Sequence, residues 1–158
     1  MFNNVNLNDN YCSHKEMWEK IKDFLPSDKK IWSPFYCDGK QKDFFKELGF
    51  NIIHEDKDFF DYEPDNYGYI VDNPPFSLRR KILSRLKELD KPFILAIFPI
   101  VLSCKWFMDI FSEHIQVIIP KKRPKCYNTH LNKTHYTPPM GMWYICYKMN
   151  FEKDLQFI

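Results

Sequence analysis

No apolar run in this 158-residue chain approaches the roughly 20 residues that cross a bilayer, so a membrane protein is not expected. A basic-then-apolar leader is missing too, because residues 1–10 are polar and rich in asparagine. No Gly-x-x-x-x-Gly-Lys loop is present, which sets aside a nucleoside triphosphatase of that type. None of the five cysteines belongs to a Cys-x-x-Cys pair. Reduced thiols in an intracellular protein are therefore expected, rather than a disulfide framework. The net charge of +2 is too small to argue by itself for a polyanion partner. Internal repeats, linkers and low-complexity tracts are absent, and the length suits one domain with a proper core but not two.

What is present is an alternation of short apolar runs and amphipathic stretches, with abundant aromatics. Residues 1–12 read as a polar arm. Ser13 to Glu16 fits a capping box, and Met17, Ile21, Phe24 and Leu25 follow at helical spacing until Pro26. Ile31-Trp32-Ser33 predicts a strand, 41–48 a helix stopped by Gly49, and 50–53 a strand. The acidic stretch 54–65 leads to a buried strand at Tyr69-Ile70-Val71. A helix over 78–89 with Ser77 as its N-cap comes next. Residues 93–98 predict a strand of the buried parallel type, 101–112 a helix, 115–119 a strand and 142–149 the last strand. Between the last two, residues 120–140 are basic, then polar, and broken by Pro120, Pro124, Pro138 and Pro139. Such an order predicts one α/β domain over 1–158, with a mostly parallel sheet and helices on both faces.

The stretch around which the chain is organised is Asp72-Asn73-Pro74-Pro75-Phe76-Ser77, between a strand and a helix. Each proline fixes φ near −65° and removes a donor, so the chain leaves the strand as a rigid arm. Asn73 offers a side-chain carbonyl, Asn73 and Pro74 offer main-chain carbonyls, and Phe76 offers a flat apolar face. Acceptors aimed at one point beside a stacking surface, at the carboxyl end of a strand, lie where open α/β sheets place their ligands.

This stretch resembles the Asn/Asp-Pro-Pro-aromatic motif of S-adenosylmethionine-dependent amino methyltransferases, including small phage and giant-virus enzymes. The resemblance implies a Rossmann-like class I methyltransferase fold and S-adenosylmethionine as cofactor. It also implies direct methyl transfer to an exocyclic amine, the N6 of adenine in nucleic acid first. Cytosine-N4, RNA adenine and protein glutamine are the neighbouring substrates within the class. The nitrogen lone pair is delocalised into the ring, so acceptors on its two hydrogens help aim it at the methyl group. Asn73, Pro74, Pro75 and Phe76 are then the catalytic loop, with Asn73 also near the cofactor. Phe76 and Ser77 face the substrate.

Three further stretches carry the resemblance. The family's Pro-x-x-Gly-x-Gly cofactor turn is matched by Pro34-Phe35-Tyr36-Cys37-Asp38-Gly39, with Cys37 where glycine is usual. Glycine there permits φ > 0 and close approach, so the departure bears on cofactor affinity. Glu55 stands where an acidic residue takes the ribose hydroxyls, with Asp56 as competitor, and Asp58-Phe59 matches the pair that holds the cofactor's adenine. The segment around His14 and Trp18 is placed to cover the methionine end. The composition, rich in Lys, Asn, Phe and Ile, fits an AT-rich genome; the resemblance to viral enzymes adds the expectation of an intracellular protein, in cytoplasm or nucleus, with a virus-encoded protein acting in a host left open.

The basic segment Lys121-Lys122-Arg123-Pro124-Lys125, with Tyr127 beyond it, is the expected nucleic-acid contact. Lys and Arg neutralise phosphates, and an aromatic can support an extruded base. With no separate target-recognition domain, a single-stranded or partner-presented substrate is expected, DNA before RNA, and a homodimer or partner protein is left open. Two other chemistries fare worse. Cytosine ring-carbon methyltransferases use a Pro-Cys nucleophile, and no cysteine here follows a proline. Cys126, His130 and His135 with Cys146 or Cys104 match no strong zinc spacing, so no metal is expected. From a different class, a degenerate domain that binds nucleic acid or a catalytic partner without turnover also accommodates Cys37.

Overall fold

The computed structural model describes residues 9, 11–128, 133–136 (backbone only) and 141–158. Strand β1 (Tyr11–Ser13) leads into helix α1 (Lys15–Glu19), followed by β2 (Ile31–Trp32), α2 (Gln41–Glu47) and β3 (Ile52–Ile53). Next come β4 (Tyr69–Asp72), α3 (Arg79–Leu89), β5 (Phe93–Ile97), α4 (Lys105–Ile110) and β6 (Ile115–Ile119). Strands β7 (Cys126–Asn128), β8 (Lys133–Tyr136), β9 (Trp143–Tyr147) and β10 (Leu155–Phe157) complete the chain.

Seven strands form the main sheet in the order β10-β6-β9-β5-β4-β2-β3. All neighbours pair in parallel except β9, which runs antiparallel to both β5 and β6. The strands' period of two divides their side chains between two cores. Tyr69, Val71, Ile94, Ala96, Tyr144 and Cys146 point to one face and pack with Met17, Trp18 and Phe45 of α1 and α2. Ile70, Phe93, Leu95, Ile97, Ile145 and Tyr147 point to the other and pack with Ile82, Leu83, Leu86 and Phe107 of α3 and α4. This is the expected Rossmann-like architecture, a mostly parallel sheet with helices on both faces.

The order reverses at β2: the chain goes from β2 to β3 on one side, then returns to place β4 on the other. The loops after β2 and β4 therefore part at the carboxyl edge and leave a crevice, the usual ligand position in open α/β sheets.

Several local expectations are corrected. Tyr11 and Cys12 belong to β1 rather than to a free arm; residues 1–8 and 10 of that arm lie outside the described residues. Ser13 does not cap α1, whose N-cap is His14. The helix expected up to Pro26 stops after Glu19 and resumes as a 3-10 turn at Lys22–Phe24. The Tyr144 hydroxyl donates to the Met17 carbonyl at 2.6 Å, and the Ile21 amide turns to Trp18 O instead. Ser77 is not the N-cap of α3 either. Phe76–Leu78 is a 3-10 turn, and the Ser77 hydroxyl and amide both bond to the Asp9 carboxylate. The helix expected over 101–112 is a 3-10 turn at Pro99–Ser103 followed by α4, with extended backbone at Cys104 between them. Part of the expected basic loop is sheet: β7 pairs antiparallel with β1 and β8 in a separate three-stranded sheet. Strand β10, which pairs with β6, was not expected.

Candidate functional site

The crevice at the strand reversal is a cavity of about 460 Å³. Three loops at the carboxyl ends of β2, β3 and β4 line it: Pro34 to Cys37, Asp56 to Phe60, and Asn73 to Phe76. Asp9, Tyr11, Leu78 and Ile82 complete the wall. Its size and mixed lining suit a small-molecule site.

The first loop is a tight turn. Gly39 N donates to Tyr36 O at 2.8 Å, and Gly39 has φ +80°. A Cβ at Gly39 would lie 2.6 Å from the Tyr36 hydroxyl, so only glycine fits there. Cys37 adopts φ +49°, the left-handed conformation that its glycine-like position requires. Its sulfur is bonded to Cys12 of β1, with 6.0 Å between the Cα atoms. That corrects the expectation of five reduced thiols: β1 runs beside the turn and brings together two cysteines 25 positions apart, which no local spacing reveals.

Asp38 is engaged within the protein. It accepts from the Tyr127 hydroxyl at 2.9 Å and pairs with the Lys40 ammonium at 3.2 Å. Partial burial opposes its ionisation, but these bonds outweigh it and hold the carboxyl below its ordinary range. Tyr127, expected to support a base, thus closes over the Pro34 to Gly39 turn from β7. Between β1, the turn and Tyr127 only about 20 Å³ remains, room for about one water.

The loop after β3 contributes Asp56, Lys57, Asp58, Phe59 and Phe60 to the cavity. Phe59 is buried against Trp32 and Phe35, with ring centroids 5.6 and 5.2 Å away. Asp58 is exposed and one of its oxygens accepts from Phe60 N at 2.8 Å. Glu55 is not part of the wall, and Tyr62 donates to its carboxylate at 2.7 Å. Of the two acidic residues weighed for the ribose, the structure places Asp56 in the wall.

The Asn-Pro-Pro-Phe loop follows β4. Asn73 Oδ1 is buried and has no hydrogen-bond partner among the described residues. A buried acceptor without a partner costs free energy, and Asn73 borders both the large cavity and the gap beside β1, so a donor reaching it from either would relieve that cost. The Phe76 ring lies 4.2 Å from Phe98, which follows β5, and its carbonyl accepts from the Arg79 guanidinium. Phe98 was not singled out from the sequence; its position just past the carboxyl end of a buried strand was the available signal.

Behind the cavity lies a buried polar network also missed. Asp72, 1 % exposed, accepts from the Ser33 hydroxyl, the Phe35 amide, the Gln41 side chain and the Asn73 amide. Polar residues ending otherwise apolar strands were the clue to Ser33 and Asp72. His54 bonds to Ser33 through Nδ1, and the Tyr36 ring stacks on it at 5.1 Å.

Other expected residues lie elsewhere. Trp18 is fully buried against Phe45, so it lies in the core and not over the cavity. His14 packs edge-on to Tyr127, outside the cavity wall. Lys121, Lys122 and Arg123 are exposed after β6, at the same sheet edge but three strand positions from β4, about 14 Å at ordinary strand spacing. Cys126 and Cys146 are buried on one face of the sheet while Cys104 packs on the other. His130 lies outside the described residues, and only the backbone of His135 is described. Among the described residues no helix is long and apolar enough to cross a membrane.

No protein-family model matches the chain, and no curated protein matches it. Among solved structures it is similar to a precorrin-6y C5,15-methyltransferase from Geobacter metallireducens GS-15. The identity is 11%, the match covers 88% of this chain and 92% of that one, and the TM-score is 0.45. A likeness this low adds nothing to the sheet order already described.

Proposed function

We propose that the chain is an S-adenosylmethionine-dependent methyltransferase acting on the exocyclic N6 amine of adenine in nucleic acid. The observation that carries the reading is Asn73 Oδ1, a buried acceptor with no partner among the described residues, in the wall of the 460 Å³ cavity.

The residues present fit the cofactor at one end. Phe59 gives an apolar wall, and Asp56 and Asp58 give carboxylates that suit hydroxyl and amine donors. Pro34 to Gly39 would carry the cofactor past the end of β2, with φ > 0 at Cys37 and Gly39 bringing backbone close. Bound there, the cofactor supplies an electrophilic methyl group on its sulfonium. Asn73 Oδ1 and the Pro74 carbonyl accept the hydrogens of the target amine and fix its direction. Phe76, backed by Phe98, offers its free face to the base. No covalent intermediate with the protein is needed: the methyl–sulfur bond breaks as the methyl–nitrogen bond forms, the extra proton on nitrogen passes to solvent, and Asn73 stays neutral throughout.

For the substrate, the proposal is a single-stranded or partner-presented strand, DNA before RNA. Extruding a base from a duplex costs a few kcal/mol, which a single strand largely avoids. Lys121, Lys122 and Arg123 share the sheet edge with the Asn73 loop and suit a strand running along that edge. The test is transfer from methyl-labelled S-adenosylmethionine to matched single- and double-stranded DNA and RNA, followed by nucleoside analysis. Label in N6-methyladenine is expected. Label in N4-methylcytosine would move the substrate, and no label in any acceptor would overturn the reading.

One observation favours a second reading, a binding module without turnover. The methionine end is narrowed to about 20 Å³ by the Cys12–Cys37 link and the Tyr127–Asp38 bond. Calorimetric titration with S-adenosylmethionine, before and after thiol reduction, separates the two: the enzyme binds in at least one state, the module in neither.

A further inference from the structure

We propose that Asp72 is the positioning residue of this site, a single buried carboxylate that holds the cofactor turn and the Asn73 loop at a fixed separation. The proposal rests on reading the crevice as the cofactor cleft.

Parallel strands β2 and β4 are tied by ladder bonds as far as Trp32 and Ile70. Beyond them the two loops part, and no ladder sets their spacing. Asp72 supplies that connection. Its Oδ2 accepts from the Phe35 amide at 2.7 Å, in the cofactor turn. Its Oδ1 accepts from the Asn73 amide at 2.7 Å, in the substrate loop. The Ser33 hydroxyl at 2.9 Å and the Gln41 amide nitrogen at 3.0 Å fill one further position on each oxygen. Gln41 also donates to Ser33 Oγ at 2.6 Å, so α2 braces both. Phe35 and Asn73 are both in the cavity wall, so a shift of either amide moves that wall.

Three N–H donors face the carboxyl, two of them backbone amides, and the Ser33 hydroxyl, which can donate or accept, completes the shell; the set favours the ionised form. Burial opposes ionisation and is the largest influence; His54 and the hydrogen bonds act the other way, and the result is a carboxyl pushed up to about 6. The sign follows. Where the folded group holds its proton more tightly than the unfolded one, stability declines as pH rises, from the ordinary carboxylate range up to about 6. At neutral pH the ionised carboxylate therefore costs the fold stability while it sets the site's geometry.

The ionisable groups facing the network are His54, across Ser33, and Asp38 and Tyr127, across the small gap. The experiment measures S-adenosylmethionine affinity by calorimetry from about pH 5 to about pH 8, with thermal stability followed in parallel. Affinity should fall as pH drops through about 6, with no matching loss of stability from this group. Asp72→Asn puts an NH₂ against one of the two backbone amides. It should lower affinity about tenfold or more and abolish the pH step. His54→Gln should keep a step but move it to higher pH, because an influence that favours the ionised carboxyl is lost. Amide hydrogen exchange at Phe35 and Asn73 gives a readout without cofactor, and both amides should exchange faster in Asp72→Asn.

A folded Asp72→Asn with wild-type affinity, pH profile and exchange would overturn the proposal. Should Asp72→Asn not fold, Ser33→Ala removes one donor and leaves both amides in place. A weakened pH step with faster exchange at Phe35 then supports the role, and no change in either overturns it. Wild-type protein that binds no cofactor at any pH would sink the functional reading instead, and the exchange data would still decide whether Asp72 holds the two loops together.

Discussion

The two ends of the crevice share the turn at Phe35 to Cys37 but differ in the room they leave and in how their charged groups are held. At the open end, the loop after β3 and the Asn73 loop border a cavity of about 460 Å³. Asp58 faces solvent there, and Asn73 Oδ1 has no partner among the described residues. At the closed end about 20 Å³ remains, Asp38 is bonded to Tyr127 and Lys40, and Cys37 is bonded to Cys12. Among the described residues unpartnered groups border both ends, Asn73 Oδ1 and Ser13 Oγ, but only the open end has room for a ligand larger than about one water. A ligand should therefore gain its affinity and its chemistry at the open end, while the closed end sets how far it can enter.

The sharpest way to break this comparison is Asn73→Ala. The backbone amide that anchors the loop to Asp72 survives the change. The side-chain amide is lost, and with it the unpaired acceptor. Methyl transfer should fall by about a hundredfold or more, the usual scale for removing a donor or acceptor matched to developing charge. Cofactor affinity by calorimetry should stay within about twofold. Equal losses in both would mean that Asn73 serves the cofactor or the fold.

A smaller effect is expected from Asp58. One of its oxygens already accepts from Phe60 N, so Asp58→Asn keeps that turn and removes the charge. Asp58→Ala removes both. Cofactor affinity should fall by about tenfold for Ala, the scale of a charge-assisted hydrogen bond, and less for Asn. The rate at saturating cofactor should barely change. Unchanged affinity in both variants would move the cofactor's adenine away from this loop.

How much of this was legible before the structure depends on whether the signal is local. Runs such as Phe93 to Ile97 are apolar throughout because both faces are covered, and that pattern announces a parallel strand. Asn-Pro-Pro-Phe carries its own backbone stiffness, so its place between strand and helix could be read directly. Trp18 could not be placed, because an aromatic on a short helix serves a core or a ligand equally well, and only Phe45 beside it decides. The Cys12–Cys37 link and the Tyr127–Asp38 bond span 25 and 89 positions. Both depend on the small sheet of β1, β7 and β8, which sequence periodicity did not reveal in a segment so broken by prolines.

The closed end is tested by Cys37→Gly. Glycine tolerates φ +49° without the cost of a side chain, about 1 kcal/mol, and the change also frees β1 from the turn. If the narrow gap limits entry, cofactor affinity should rise by about fivefold, and thiol reduction of the wild type should shift it the same way. A loss of affinity in both would mean that the link organises the site.

The smallest effect, and the one that reaches outside the crevice, concerns the basic segment. Lys121 and Lys122 are exposed after β6 at the carboxyl edge of the sheet, three strand positions from the Asn73 loop. Their main chain is fixed: Lys121 N donates to Ile158 O, and Lys20 donates to the Lys122 carbonyl. Neutralising both as Lys121→Gln and Lys122→Gln should therefore leave the backbone where it is and change only the charge. On a single strand each lost phosphate contact lowers the salt slope of binding by about 0.7. Two should flatten it by about 1.4 and raise KM for the strand by about threefold at low salt. That difference should shrink as salt is added, because the counterion contribution shrinks for wild type and variant alike. The rate at saturating strand and the cofactor affinity should not move, since neither lysine lines the cavity. A fall in that rate, or a KM change that persists at high salt, would place the lysines in the chemistry or the fold. The open end of the crevice would then extend across the whole sheet edge, and the contrast between its two ends would have to be redrawn.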